Sequence, residues 1–309
     1  MTDYQFIQAH SYDDGQIQRI VLDRPEARNA QHRGLLTELD DAMHSAESDD
    51  QCRVVILAAN GPVFSSGHDL GSREAIAMRN PTSPEFHPTY SLNGGTRKAA
   101  EQRMLQEWHY FFQNTLRWRN LRKITIAQVN GSVLAAGLML IWACDLIVAA
   151  EDAVFADVVG TRLGMCGVEY FAHPWELGAR KTKELMLTGD ALTAREAVTL
   201  GMVSKVFRAE DLSDKTLEFA RRISQLPTVT ALLIKESVNQ TQDNMGFYNA
   251  LNACFTLHQL NHSHWAELHE DGEARAKPED GIASWRNARP ISHAEVNSVS
   301  TSTVDGGPD

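Results

Sequence analysis

Cysteine is scarce. The 309 residues hold four, at Cys52, Cys144, Cys166 and Cys254, and no two form a CxxC pair. That leaves little material for a disulfide frame or a thiolate metal site, and the four read as reduced, buried thiols. A chain of this length buries roughly three quarters of its unfolded surface and needs no such staple. Positive charge is also short: 29 Lys and Arg face 40 Asp and Glu, a formal charge of −11. No basic stripe interrupts the deficit, which excludes the usual footprint of a nucleic-acid binder. An anionic ligand has to be held by local groups against the global field. Long hydrophobic runs are missing as well. The most apolar stretch, 132–150, is cut by Asp145 and rich in Ala and Gly, so it reads as core rather than a membrane span. The opening MTDYQFIQAH has neither a basic nor an apolar leader segment, so no secretory signal is expected and the chain reads as cytoplasmic.

What is present is an alternation of strand and helix signals. IQRIVLD (17–23), RVVILAA (53–59), ITIAQVNG (124–131) and DLIVAA (145–150) are β-branched runs closed by turn residues. Leu35, Leu39, Met43 and Ala46 lie at helical spacing within 34–47, and 133–144 reads as a buried helix. This is an α/β chain. Residues 72–100 form a polar excursion with Pro81, Pro84 and Pro88, followed by a long helix over 101–121. From about 173 helices dominate: 175–187, 193–200, 210–226, 229–242 and 245–270. The stretch 291–309 has the composition of a disordered tail.

Two glycine-containing turns follow strands, at Gly61–Leu70 and at Asn130–Gly137. The second leads into a buried helix, whose free N–H groups point outward from its start. Side by side, two such turns can aim two N–H groups at one oxygen, the geometry that stabilises a developing oxyanion. The plainer reading is two ordinary strand-to-helix turns that need Gly for positive φ.

The flanking words decide between them. LDRPEARNA (22–30), VFSSGHDL (63–70), QVNGSVLAAG (128–137), ACDLIVAAEDAVFA (143–156), LMLTGDALTAREAVTLGMVSKVF (185–207) and KESVN (235–239) occur in that order. Together they resemble the crotonase family, the enoyl-CoA hydratases and isomerases, over about residues 4–290. The resemblance implies a crotonase-like spiral of ββα units over 1–225 and a C-terminal helical trimerisation and CoA-covering region over 226–290. It implies a homotrimer or a dimer of trimers acting on an acyl-CoA or enoyl-CoA. No metal or redox cofactor is implied, since coenzyme A is part of the substrate. The thioester carbonyl would sit between the backbone N–H groups of His68 and Ala136. Arg28 would meet phosphate, Ser66, His68, Asp69 and Leu70 would line the adenine and pantetheine channel, and Arg289 would help hold the nucleotide.

The chain departs from the family at the acids. Hydration in the family uses two glutamates, whose positions here fall on Met139 and on Val159, or its neighbours Val158 and Gly160. The nominal reaction is enoyl-CoA hydration in fatty acid or related acyl-CoA metabolism. Glu169, with Asp157 second, is the candidate replacement acid or base. The alternatives are an isomerase or acyl-CoA hydrolase using either carboxylate, or a non-catalytic acyl-CoA binder. His173 is placed to pair with Glu169 at helical spacing. His258 and His262 form an HxxxH pair without the glutamate of HExxH, and read as a polar helix face. Glu101, Glu107 and His109 on the long helix read as solvated, and Asp145 as structural. Ser65 and Ser66 lack the G-x-S-x-G elbow of a serine nucleophile.

Overall fold

β-Branched runs bury best where both faces of a strand are covered. The computed structural model describes residues 3–78 and 100–282, and it places these runs at the centre of a parallel sheet. β1 (Ile7–Tyr12) and β2 (Ile17–Leu22) form an antiparallel hairpin at its edge. β2 then pairs in parallel with β3 (Val54–Ala59), and the six-stranded order continues through β5 (Ile124–Val129), β7 (Leu146–Ala150) and β10 (Lys205–Phe207). The strands that follow each long one are short. β4 (Val63–Ser65), β6 (Ser132–Leu134), β8 (Val154–Ala156) and β9 (Leu192–Thr193) make a second, four-stranded sheet. Long strand, short strand, helix is therefore the repeating unit, as expected from the sequence resemblance.

Strand alternation sorts the side chains of the large sheet. Ile20, Leu22, Val55, Leu57 and Ala127 enter the main core with α1 (Arg33–Ser48). Ile17, Val54, Ile56, Ile126 and Val148 face the other way and are covered by α10 (Leu212–Ser224). The segment read as one buried helix over 133–144 divides instead. Ser132–Leu134 is strand β6, Ala135 turns with φ +49°, and α5 (Gly137–Trp142) follows. α2 (Arg73–Met78) lies at the start of the excursion, and the long helix after it is α3 (Ala100–Gln106), a π-helical stretch over Glu107–Gln113, and α4 (Asn114–Arg119). The π stretch is marked by the Asn114 N–H bonding back to the His109 carbonyl.

Beyond the second sheet lie α6 (Val159–Leu163), α7 (His173–Leu177) and α8 (Ala179–Thr188). α9 (Ala194–Leu200) follows, opened by a Thr193–Glu196 capping box. The expected single helix over 175–187 is broken at Gly178, whose φ of +74° and ψ of 154° no helix allows. Two long helices follow, α11 (Thr228–Asn244) and α12 (Phe247–Leu268). Lys235 on α11 bonds Asp145 at 3.0 Å and the Lys123 carbonyl at 3.0 Å, which fastens that helix to the ends of β5 and β7. The tail over 291–309 and most of the excursion lie outside the described residues.

Candidate active site

The segment before α1 is a clamp made of polar side chains. Asn29 accepts the Arg24 N–H at 2.8 Å and donates to the carbonyls of Asn60 and Val63, both at 2.9 Å. Gln31 donates to the Ser65 hydroxyl and to the Ala136 carbonyl, both at 3.1 Å. One buried amide thus ties the two glycine turns together. The Gln31 N–H bonds the Gly67 carbonyl at 2.8 Å, and the Asp69 N–H bonds the Gln31 carbonyl at 2.9 Å. Because successive backbone groups alternate sides, the His68 N–H between them points away from Gln31, toward the second turn.

The two turns meet without a gap. Gly67 has φ +90°, and a Cβ added there would lie 3.0 Å from both the Ala135 Cβ and the Ala136 nitrogen. Ala136 itself has φ −62° and ψ −7°, an ordinary helix-start conformation, and the left-handed residue is Ala135. Among the described residues neither the His68 N–H nor the Ala136 N–H has a carbonyl partner. Two backbone donors without a carbonyl partner, one from each turn, are the kind of groups that bind an anionic oxygen.

Glu169 reaches this place from the loop between α6 and α7. It is buried, and its Oε2 lies 2.9 Å from His68 Nε2. The His68 ring is stacked on Phe111, with centroids 3.5 Å apart and 17° between planes. The π-helical stretch carries Phe111 and Glu107 inward together. Burial alone pushes the Glu169 carboxyl upward, but the charge and hydrogen bond of His68, with His258 behind it, hold it below the usual carboxylate range. Glu169 Oε2 and His68 Nε2 share a buried hydrogen bond, and His68 Nδ1 is a buried atom with no partner among the described residues.

Several sequence readings change here. His173 does not pair with Glu169. It pairs with Asp157, Nε2 to Oδ2 at 2.9 Å, with side chains 1% and 2% exposed. Asp157 Oδ1 also accepts the Val159 N–H at 2.9 Å. Both of its oxygens are engaged, one by His173 and one by the Val159 N–H. Asp69 does not present its carboxylate to a channel either. It faces Arg24 at 3.2 Å and accepts the Ser72 N–H at 2.9 Å. Glu107, His258 and His262 are not solvated. Glu107 and His258 are 5% and 4% exposed, and they form one cluster with His262. Met139 and Val159, at the two usual glutamate positions, are buried apolar side chains.

Arg28, Ser66 and Leu70 stay together at the surface side of the turns. The Ser66 N–H bonds the Arg28 carbonyl at 3.0 Å, the Arg28 side chain is exposed, and Leu70 is half exposed. Arg289 lies outside the described residues. The partnership of His68 with Glu169 was missed from sequence, since nothing local links the two positions.

The enoyl-CoA hydratase/isomerase family model matches residues 13–92 and 90–270. The Mycobacterium tuberculosis protein EchA13, which carries the name enoyl-CoA hydratase, is 62% identical over 289 residues, covering 94% of this chain and 91% of that one. A Mycobacterium smegmatis crystal structure described as an enoyl-CoA hydratase superposes with a TM-score of 0.76 at 39% identity, covering 88% of this chain and 99% of that one. An enoyl-CoA hydratase/isomerase from Xanthobacter autotrophicus Py2 gives a TM-score of 0.73 at 27% identity, over 96% and 97% of the two chains.

Proposed function

The chain belongs to the enoyl-CoA hydratase/isomerase family, and on that premise we propose that it hydrates enoyl-CoA thioesters with a His68–Glu169 dyad in place of two glutamates. The substrate is an acyl-CoA, as for the family. The His68 and Ala136 N–H groups receive the thioester oxygen and stabilise the enolate. One such donor contributes ~3–4 kcal/mol of transition-state stabilisation. Glu169 holds and orients the His68 ring through Nε2, and the pair takes the proton from the attacking water. The proton then returns to the α-carbon from the same dyad. General acid–base help of this kind contributes about 10²–10⁴ in rate. The observation that carries the reading is the 2.9 Å contact between His68 and Glu169 beside the Gly67–Ala136 junction.

Arg28, Ser66 and Leu70 form the entrance for the coenzyme A portion in this reading, and Arg289 joins them at the nucleotide end. The helical part after residue 225 is the self-association region. Its apolar side chains support this: Leu233 is 60% exposed, Val238 55%, Leu257 57% and Leu260 64%. These surfaces suit a homotrimer or dimer of trimers. No helix among the described residues is long and apolar enough to cross a membrane. A cytoplasmic site of action accords with the free cysteines.

The test is mass spectrometry of products from short, long, aromatic and steroid-like enoyl-CoA thioesters. Wild type should add one water with the thioester intact, and Glu169→Gln should lose about 10²-fold or more in kcat. A folded Glu169→Gln variant that hydrates at the wild-type rate refutes the dyad. A moved double bond at unchanged mass makes the enzyme an isomerase, and release of free coenzyme A makes it a hydrolase.

A further inference from the structure

We propose that Glu107, His258 and His262 form a binding site for a divalent transition metal of the zinc class, directly behind Glu169. His258 and His262 sit one turn apart on α12, and Glu107 comes from the first position of the π-helical stretch. His258 Nδ1 lies 2.8 Å from the Gly167 carbonyl, and His262 Nδ1 lies 2.6 Å from the Ala274 carbonyl. A carbonyl only accepts, so both Nδ1 atoms carry the proton. In neutral rings both Nε2 atoms are then bare lone pairs, yet they face each other at 3.1 Å. Two acceptors at that distance need positive charge at this point, which a proton on one ring or a metal ion held by both supplies.

Glu107 supplies the matching charge at the same point. Its Oε1 is 3.1 Å from His262 Nε2, and its Oε2 is 3.7 Å from His258 Nε2. Metal bonds of about 2.0–2.1 Å at tetrahedral angles set ligand atoms about 3.3 Å apart, and the observed separations bracket that value. Two imidazoles and a carboxylate favour zinc-class ions over Mg²⁺ or Ca²⁺, which take oxygen ligands. The outer contacts are also those of a metal site. Each ring is oriented by a backbone carbonyl through its other nitrogen, and Gln259 donates to Glu107 Oε2 at 2.5 Å. The three side chains are 5%, 13% and 7% exposed for His258, His262 and Glu107, so few waters compete. Glu169 Oε1 is a further carboxylate oxygen 3.6 Å from His258 Nε2. The ion would bind α12 to the π-helical stretch and position the carboxylate that touches His68. Arg103 also faces Glu107 and supplies part of its counter-charge.

The assignment of these ligands is independent of the role given to Glu169. The full-length protein is stripped with a chelator, dialysed, and titrated with Zn²⁺ by calorimetry. Metal content per chain and the Co²⁺ absorption spectrum are measured in parallel. The expected result is one equivalent per chain, a rise in Tm on adding Zn²⁺, and a Co²⁺ spectrum of nitrogen and oxygen ligation. His262→Gln and Glu107→Gln should weaken binding by at least about 100-fold and abolish the rise in Tm. Unchanged affinity in folded variants overturns the site. So does a thiolate-to-cobalt band in wild type, a reading that needs no variant to fold. Failure of wild type to bind Zn²⁺ also overturns it and leaves a proton shared among Glu107, His258 and His262.

Discussion

Replacing Gly67 by Ala adds one carbon atom at the junction of the two turns. The new Cβ would lie 3.0 Å from the Ala135 Cβ, 3.0 Å from the Ala136 nitrogen and 3.1 Å from the Leu134 carbonyl oxygen. Those neighbours are backbone or Cβ atoms and cannot rotate away, so the second turn has to shift. Gly67 also has φ +90°, where an L side chain adds its own strain of about 1–2 kcal/mol. Stability should fall by about 2–3 kcal/mol in all, measured as the urea midpoint. The catalytic effect should be larger. If the Ala136 N–H donates to the thioester oxygen as proposed, its displacement removes one such donor, which costs about 10²–10³ in kcat. The assay is exchange of the α-protons of a saturated acyl-CoA into deuterated water, followed by mass spectrometry. This isolates enolate formation from hydration. Gly71→Ala is the control, since a Cβ there meets nothing within 4 Å. A folded Gly67→Ala enzyme exchanging within about threefold of wild type would refute the two-donor geometry.

Three further outcomes can be checked. Burial, with Arg24 nearby, pushes His32 down to about 4, and its Nδ1 accepts the Leu35 N–H at the start of α1. The stabilisation is present above the ordinary value near 6.5 and is lost as pH falls toward 4; the unfolding free energy from urea titrations should decline by up to about 2–3 kcal/mol, and less in His32→Asn. Asp145→Asn leaves Lys235, 6% exposed, without its counter-ion, and should lower stability by about 3–5 kcal/mol in chemical denaturation. Leu233→Asp with Leu260→Asp should reduce the sedimenting mass to that of smaller species if the exposed faces of α11 and α12 self-associate, while a single-subunit wild type would remove the basis for that interface.

The central strands and α1 were legible because their signals are local. A β-branched run between turn residues, or Leu35, Leu39 and Met43 at helical spacing, carries its structure within a few residues. The two turns were legible as well, and Ala136 has the negative φ that a donor there requires. The stretch 133–144 was misread because its apolar composition hides a single left-handed residue, Ala135, where strand gives way to helix. The polar partners were the least readable part. Glu107, Glu169, His68 and His258 come from four separate segments, and each alone resembles a surface residue. Only the π-helical turn, the loop after α6 and the inward face of α12 bring them together. Asp157 and His173 show the same limit, since their mutual choice leaves Glu169 to His68.

In the proposed reaction the two donors to the thioester are main-chain atoms, and Gly67, Gly137 and the Gln31 amide pack around them. In that reading, polarisation of the carbonyl does not draw on the side-chain chemistry of position 68. Substitution at 68 can exchange one proton-transfer group for another while leaving the electrophilic half of the reaction intact. The geometric constraint then falls on neighbours such as Gly67 and Gln31, which hold the donors in place.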